Sequence, residues 1–94
     1  MIKEEGDVEV LEEVLIDDSV SNHNQIVLFN DDYNTFDHVI DTLIRVCNHD
    51  ALQAEQCAML VHYKGKCVVK TGVLKKLEPM CTALLDAGLS AEIQ

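Results

Sequence analysis

The chain has 94 residues, 48% of them apolar, and a formal net charge of −10. That length bounds it to one domain with a modest core, and the apolar share excludes a wholly disordered chain. The acidity argues against nucleic acid, whose phosphates it repels, and no apolar stretch approaches the roughly 20 residues that span a bilayer.

The opening MIKEEGDVEV has no positive region followed by an apolar run, so the expectation is a cytoplasmic chain without a secretory signal. Cys47, Cys57, Cys67 and Cys81 are then expected to be reduced. Their spacing contains no CxxC pair, so they read as small core hydrophobes rather than a zinc site.

Residues 1–24 hold eight acids and one lysine, and no aromatic residue. They read as a flexible acidic N-terminal arm. Val8, Leu11, Val14 and Leu15 have helical spacing, but such a helix is marginal alone in water. Residues 25–94 read as a single domain. The run Gln25–Phe29 is β-favouring and does not alternate, which predicts a strand buried on both faces and stopped by Asn30-Asp31-Asp32. Asn34 or Thr35 can cap a helix with Asp37 in its first turn. The spacing of Phe36, Val39, Ile40, Leu43, Val46 and Cys47 predicts that helix to end near Asn48-His49.

Asp50 can cap a second helix, with Ala54, Cys57, Ala58 and Val61 on one face and Gly65 as its terminator. Cys67-Val68-Val69 predicts a second strand that stops at Thr71-Gly72. A third helix follows from Val73 to Leu85, and Pro79 within it predicts a kink or a restart. Gly88 ends it, and Leu89–Ile93 alternates as a last edge strand does. The order is β-α-α-β-α-β: an α+β sandwich of a three-stranded antiparallel sheet with three helices packed on one face.

Two polar groups stand out. Asn30-Asp31-Asp32-Tyr33-Asn34-Thr35 fills the first strand-to-helix turn, where a rigid scaffold can present ligand-binding side chains; Asn and Asp also favour turns for purely local reasons. His62, in Val61-His62-Tyr63-Lys64-Gly65, can act as an acceptor or simply favour a helix C-terminus. No nucleophile elbow, phosphate loop or metal-ligand set is visible. A hydrolase built on Asp31 and His62 would lack a nucleophile, so no enzyme activity and no cofactor is expected.

Val27-Leu28-Phe29-Asn30-Asp31-Asp32-Tyr33, Val39-Ile40-Asp41 and Val61-His62-Tyr63-Lys64-Gly65-Lys66 together resemble the ClpS family, adaptors of the bacterial N-degron pathway. The match covers residues 25–94 with near-colinear spacing, and the acidic arm suits the family's N-terminal extension. The resemblance implies the same α+β sandwich, shared with the C-terminal domain of the ribosomal stalk protein. It also implies a role: holding substrates that begin with a free hydrophobic residue and passing them, as a monomer, to a ClpA- or ClpC-like AAA+ unfoldase. By position, Asn30, Asp31 and His62 would accept the three donors of an α-ammonium. Asn34, where the family usually has Thr, would contact the substrate backbone. Phe36, Val39, Ala58, Val61 and Leu89 would wall an apolar pocket.

Departures in the pocket and in the third helix have consequences. Phe36 and Ala58 fall where better-known members carry Met, and the shorter Ala58 implies a roomier pocket that also admits Ile or Val. In the third helix, the family's Glu and Lys that dock on the unfoldase are replaced by Lys75 and Met80, with Pro79 between them. The alternative reading is an acidic interaction domain of the ribosomal-stalk type, with the fold but no amine site.

Overall fold

The computed structural model describes residues 23–94. The elements are β1 (His23–Phe29), α1 (Phe36–Cys47), α2 (Ala51–Lys64), β2 (Lys66–Val73), α3 (Leu74–Asp86) and β3 (Ser90–Ile93). The expected order β-α-α-β-α-β and the α+β class are both observed. The sheet order is β2-β1-β3, and β1 pairs antiparallel with both neighbours. The most apolar strand is therefore central, and β3 lies at an edge as its alternation predicts.

Ile26, Val27 and Leu28 are all buried. Because successive strand residues point to opposite faces, this bears out the two-sided burial read from the sequence. Ile26 and Leu28 face the helices and join Leu43, Cys47, Ala54, Cys57, Val61, Leu77 and Leu84 in one core. Each large aliphatic side chain buried there stabilises the fold by roughly 1.5–3 kcal/mol.

The helix signals act as read. Thr35, rather than Asn34, caps α1, its hydroxyl accepting the His38 N–H at 3.1 Å. Asp50 caps α2 by accepting the Gln53 N–H at 2.7 Å. Asn48 closes α1 in the left-handed region at φ 59°, where Asn is tolerated better than most residues. Gly65 closes α2 at φ 94°, where a Cβ would be strained.

Several boundaries differ. β1 begins at His23, two residues ahead of Gln25, because His23 and Asn24 find partners in Val73 and Gly72. That same pairing carries β2 through Thr71-Gly72, which do not stop it. Val73 thus belongs to the strand and to the α3 cap rather than to the third helix. Between Ile26 and Val27 the register steps from Lys70 to Val68 and leaves Val69 as an extra residue, a β-bulge. The Val69 carbonyl accepts the buried His49 Nε2–H at 2.7 Å. No restart occurs at Pro79: α3 runs from Leu74 to Asp86 as one helix. Its buried stripe of Leu77, Cys81 and Leu84 outweighs the one hydrogen bond that Pro79 cannot donate to Lys75.

All four cysteines are free. Burial pushes the Cys47, Cys57 and Cys81 thiols up, Cys57 to about 12. No described helix is long and apolar enough to cross a membrane.

Candidate functional site

Asp31 organises the turn that leads from β1 to α1. Its Oδ1 accepts the backbone N–H groups of Tyr33 and Asn34, both at 2.8 Å. Its Oδ2 accepts the Asn34 side-chain amide at 2.7 Å. Partial burial pushes this carboxyl's pKa up, but the Asn34 N–H and amide, the Tyr33 N–H and nearby His38 outweigh it. The net position is below the ordinary 3.8.

Asn34 spans two elements. Besides Asp31, its amide donates to the Gly88 carbonyl at 2.9 Å, just beyond α3. Both amide hydrogens face acceptors, and the flipped orientation would set oxygen against oxygen. Asn34 Oδ1 is therefore the atom left to take a donor. His38 Nε2–H donates to the Ala87 carbonyl at 2.8 Å, a second tie between α1 and the end of α3.

The other side of the site is the end of α2. The Asn30 N–H donates to the Gly65 carbonyl at 3.0 Å, which holds the start of the turn against the last turn of that helix. His62 lies there, its ring 5.2 Å from that of Phe36 and 4.7 Å from that of Tyr63.

Between these parts opens a cleft of about 400 Å³. Asn30, Asp31, Asn34 and His62 line its polar side, and Phe36, Val39, Ala58 and Val61 its apolar side. Leu89 does not reach the cleft. It is buried in the core and lines a recess of about 20 Å³ behind it, which shares Asn30, Asp31, Asn34, Val39 and Val61 with the cleft. Two further lining residues, Asp32 and Thr35, belong to the polar turn that the sequence marked, but turn and cap chemistry gave no reason to assign either of them a contact. The carbonyls of Ala87 and Gly88 were also unforeseen: a backbone acceptor has no signature in side-chain identity.

Among the described residues no three His, Cys, Asp or Glu side chains could hold a metal ion. Asp31 spends three acceptor contacts on its own turn. On α3, Lys75 and Pro79 are exposed, whereas Met80 is half-buried against the core.

The fold and the cleft thus define a small α+β binding domain with polar acceptors at the mouth of an apolar hollow. Residues 19–92 match the family model described as ClpS, ATP-dependent Clp protease adaptor protein ClpS. The chain belongs to the ClpS family of Clp protease adaptors. It is 34% identical over 67 residues to the Clp protease adapter protein ClpS of Thermosynechococcus vestitus, which spans 70% of this chain and 71% of that protein. It is 41% identical over 44 residues to the ClpS of Sodalis glossinidius, which spans 47% of this chain and 42% of that one. In fold it is similar to the structure of Agrobacterium tumefaciens ClpS2 bound to L-phenylalaninamide. The TM-score is 0.68 at 22% identity, over 78% of this chain and 98% of the other.

Proposed function

We propose that the cleft binds the first residue of a substrate protein, gripping its free α-amino group and a hydrophobic side chain, and that the domain delivers this N-degron to a ClpA- or ClpC-like AAA+ unfoldase. The observation that carries the reading is the grouping of Asn30, Asp31 and His62 in one cleft with the apolar side chains of Phe36, Val39, Ala58 and Val61. An ammonium offers three donors and no acceptor. An Asn carbonyl, a carboxylate and a neutral imidazole nitrogen supply three acceptors, one of them charged. Acetylation removes the charge and leaves acceptors that the bound peptide covers unpaired, which is how such a site rejects blocked and internal residues.

The side chain would occupy the space between Phe36, Val39, Ala58 and Val61, with Leu89 behind. Burying one large apolar side chain contributes roughly 1.5–3 kcal/mol, so the amine contacts set specificity. Ala58 projects one methyl where a longer residue would fill the hollow, so Ile-first and Val-first substrates bind beside Leu, Phe, Tyr and Trp. Asn34, its amide committed to Asp31 and Gly88, serves the substrate backbone as an acceptor, taking an N–H through Oδ1. The ligand in the Agrobacterium ClpS2 structure, L-phenylalaninamide, has the same chemistry: a free α-amine beside an apolar side chain. Tethering such a substrate to the ring raises its effective concentration, commonly to about mM for short flexible links. The domain itself needs no cofactor and performs no reaction.

Fluorescence anisotropy with labelled Leu-first and Phe-first peptides, free and N-acetylated, tests this. The expected result is Kd of about 1 μM, corresponding to about 8 kcal/mol, for free ends and loss of binding on acetylation. Equal binding of free and acetylated peptides would remove the amine from the account.

A further inference from the structure

α3 ends in a tight turn whose donors and acceptors go separate ways. The N–H groups of Ala87, Gly88 and Leu89 bond back to the carbonyls of Ala83, Leu85 and Leu84 in that helix. The carbonyls of Ala87 and Gly88 instead face the start of α1, and one side chain takes each of them. His38 Nε2 donates to Ala87 at 2.8 Å, and the Asn34 amide donates to Gly88 at 2.9 Å. A carbonyl only accepts, so the ring proton of His38 sits on Nε2. Asn34 and His38 stand four residues apart in sequence and hold successive peptide groups of the one turn.

The contacts continue into the cleft. The Asn34 amide that holds Gly88 also donates to Asp31 Oδ2 at 2.7 Å, and the Asn34 N–H donates to Asp31 Oδ1 at 2.8 Å. Asn34 keeps this pose while Gly88 stays in place. An amide that lost the Gly88 carbonyl would be free to turn, and the contact that orients Asp31 Oδ2 would turn with it. Gly88, at φ 91°, is the residue type with the most backbone freedom, so the turn benefits from an outside hold. His38 supplies one from a half-buried position that lines neither the cleft nor the recess behind it.

We propose that, on the reading of the cleft given above, His38 is a positioning residue for the amine site: by pinning the Ala87–Gly88 turn it sets Asn34, and through Asn34 the Asp31 carboxylate that accepts the substrate's α-ammonium. It touches no substrate itself.

The test is made on the full chain. Anisotropy with a labelled Leu-first peptide reads binding. Carboxyl NMR reads the pKa of Asp31, which the contacts with Asn34 help to hold below its ordinary value. His38→Leu and His38→Met remove the donor, whereas His38→Gln replaces it with an amide N–H. The two variants without a donor are expected to bind about fivefold more weakly, the scale of one hydrogen bond, with the Asp31 pKa raised. His38→Gln returns binding to within about twofold of the wild type and keeps the Asp31 pKa below that of His38→Leu. His49→Ala removes a histidine-to-carbonyl bond of the same kind away from the cleft. It lowers the melting temperature and leaves both binding and the Asp31 pKa unchanged. Wild-type binding in His38→Leu and His38→Met, equal weakness of His38→Leu and His38→Gln, or an unmoved Asp31 pKa in a weakened variant overturns the role of His38 and leaves the cleft standing. Weakening of the same size in His49→Ala overturns it as well, since lost stability alone would then suffice. No binding by the wild type overturns the cleft reading and the positioning role with it.

Discussion

Asp31 shows how one residue can answer to two explanations. Turn chemistry accounts for its three contacts with Tyr33 and Asn34, and the same carboxylate faces the cleft. From sequence these roles were indistinguishable, since Asp suits both. Removing it in Asp31→Ala is expected to abolish peptide binding and to cost about 1–3 kcal/mol of stability, because the partly buried Asn34 N–H loses its acceptor; urea unfolding with anisotropy checks both. The fold holds this pKa below 3.8. The carboxylate therefore contributes its stability fully above that value, and the contribution is lost as pH falls through the lower, folded pKa. Between about pH 6 and about pH 3 the wild type is expected to lose more stability than Asp31→Asn. A parallel decline would contradict the assignment. Ala58 makes a second residue-scale prediction. Ala58→Met fills the hollow, so binding of Ile-first peptides is expected to fall about fivefold or more, a penalty of about 1–3 kcal/mol for overpacking, while Leu-first binding falls less. Leu89, by contrast, lines the recess behind the cleft rather than the cleft itself: apolar identity marks burial but not how deep in a pocket a side chain lies.

At the scale of elements, the helices were the more legible. Periodicity and local caps such as Thr35, Asp50 and Gly65 depend only on near neighbours in sequence. The strands were harder because their extent depends on partners. Thr71-Gly72 reads as a breaker locally, yet Asn24 and Gln25 pair with them and the strand continues. The bulge at Val69 has no local signal at all. It turns a carbonyl toward His49, whose ring is buried. His49→Ala is therefore expected to destabilise by about 1–3 kcal/mol, seen as a lower urea midpoint. Pro79 was legible as a conflict but not in its outcome, since packing of the flanking turns decided it. Restoring the donor in Pro79→Ala is expected to stabilise the domain by about 1–3 kcal/mol. A loss of stability instead would show that the proline-adapted geometry of α3 is required.

For the whole molecule, composition excluded more than it specified. Length bounded the chain to one small domain and acidity argued against nucleic acid, and the β-α-α-β-α-β order followed from the elements. The cleft did not, because it forms only where the turn after β1 meets the end of α2, more than 30 residues apart in sequence. The same packing predicts thiol behaviour: Cys47, Cys57 and Cys81 are buried and are expected to react with a disulfide reagent only on unfolding, whereas half-buried Cys67 reacts first. The central claim is that this cleft, and no other surface, receives a free amine beside an apolar side chain. Titrating the isotopically labelled protein with L-phenylalaninamide while following backbone amide NMR shifts tests it most directly. The account predicts that the largest shifts fall on Asn30, Asp31, Asn34, Val39 and His62. Shifts centred on another surface, or equal shifts with the N-acetylated amide, would contradict it.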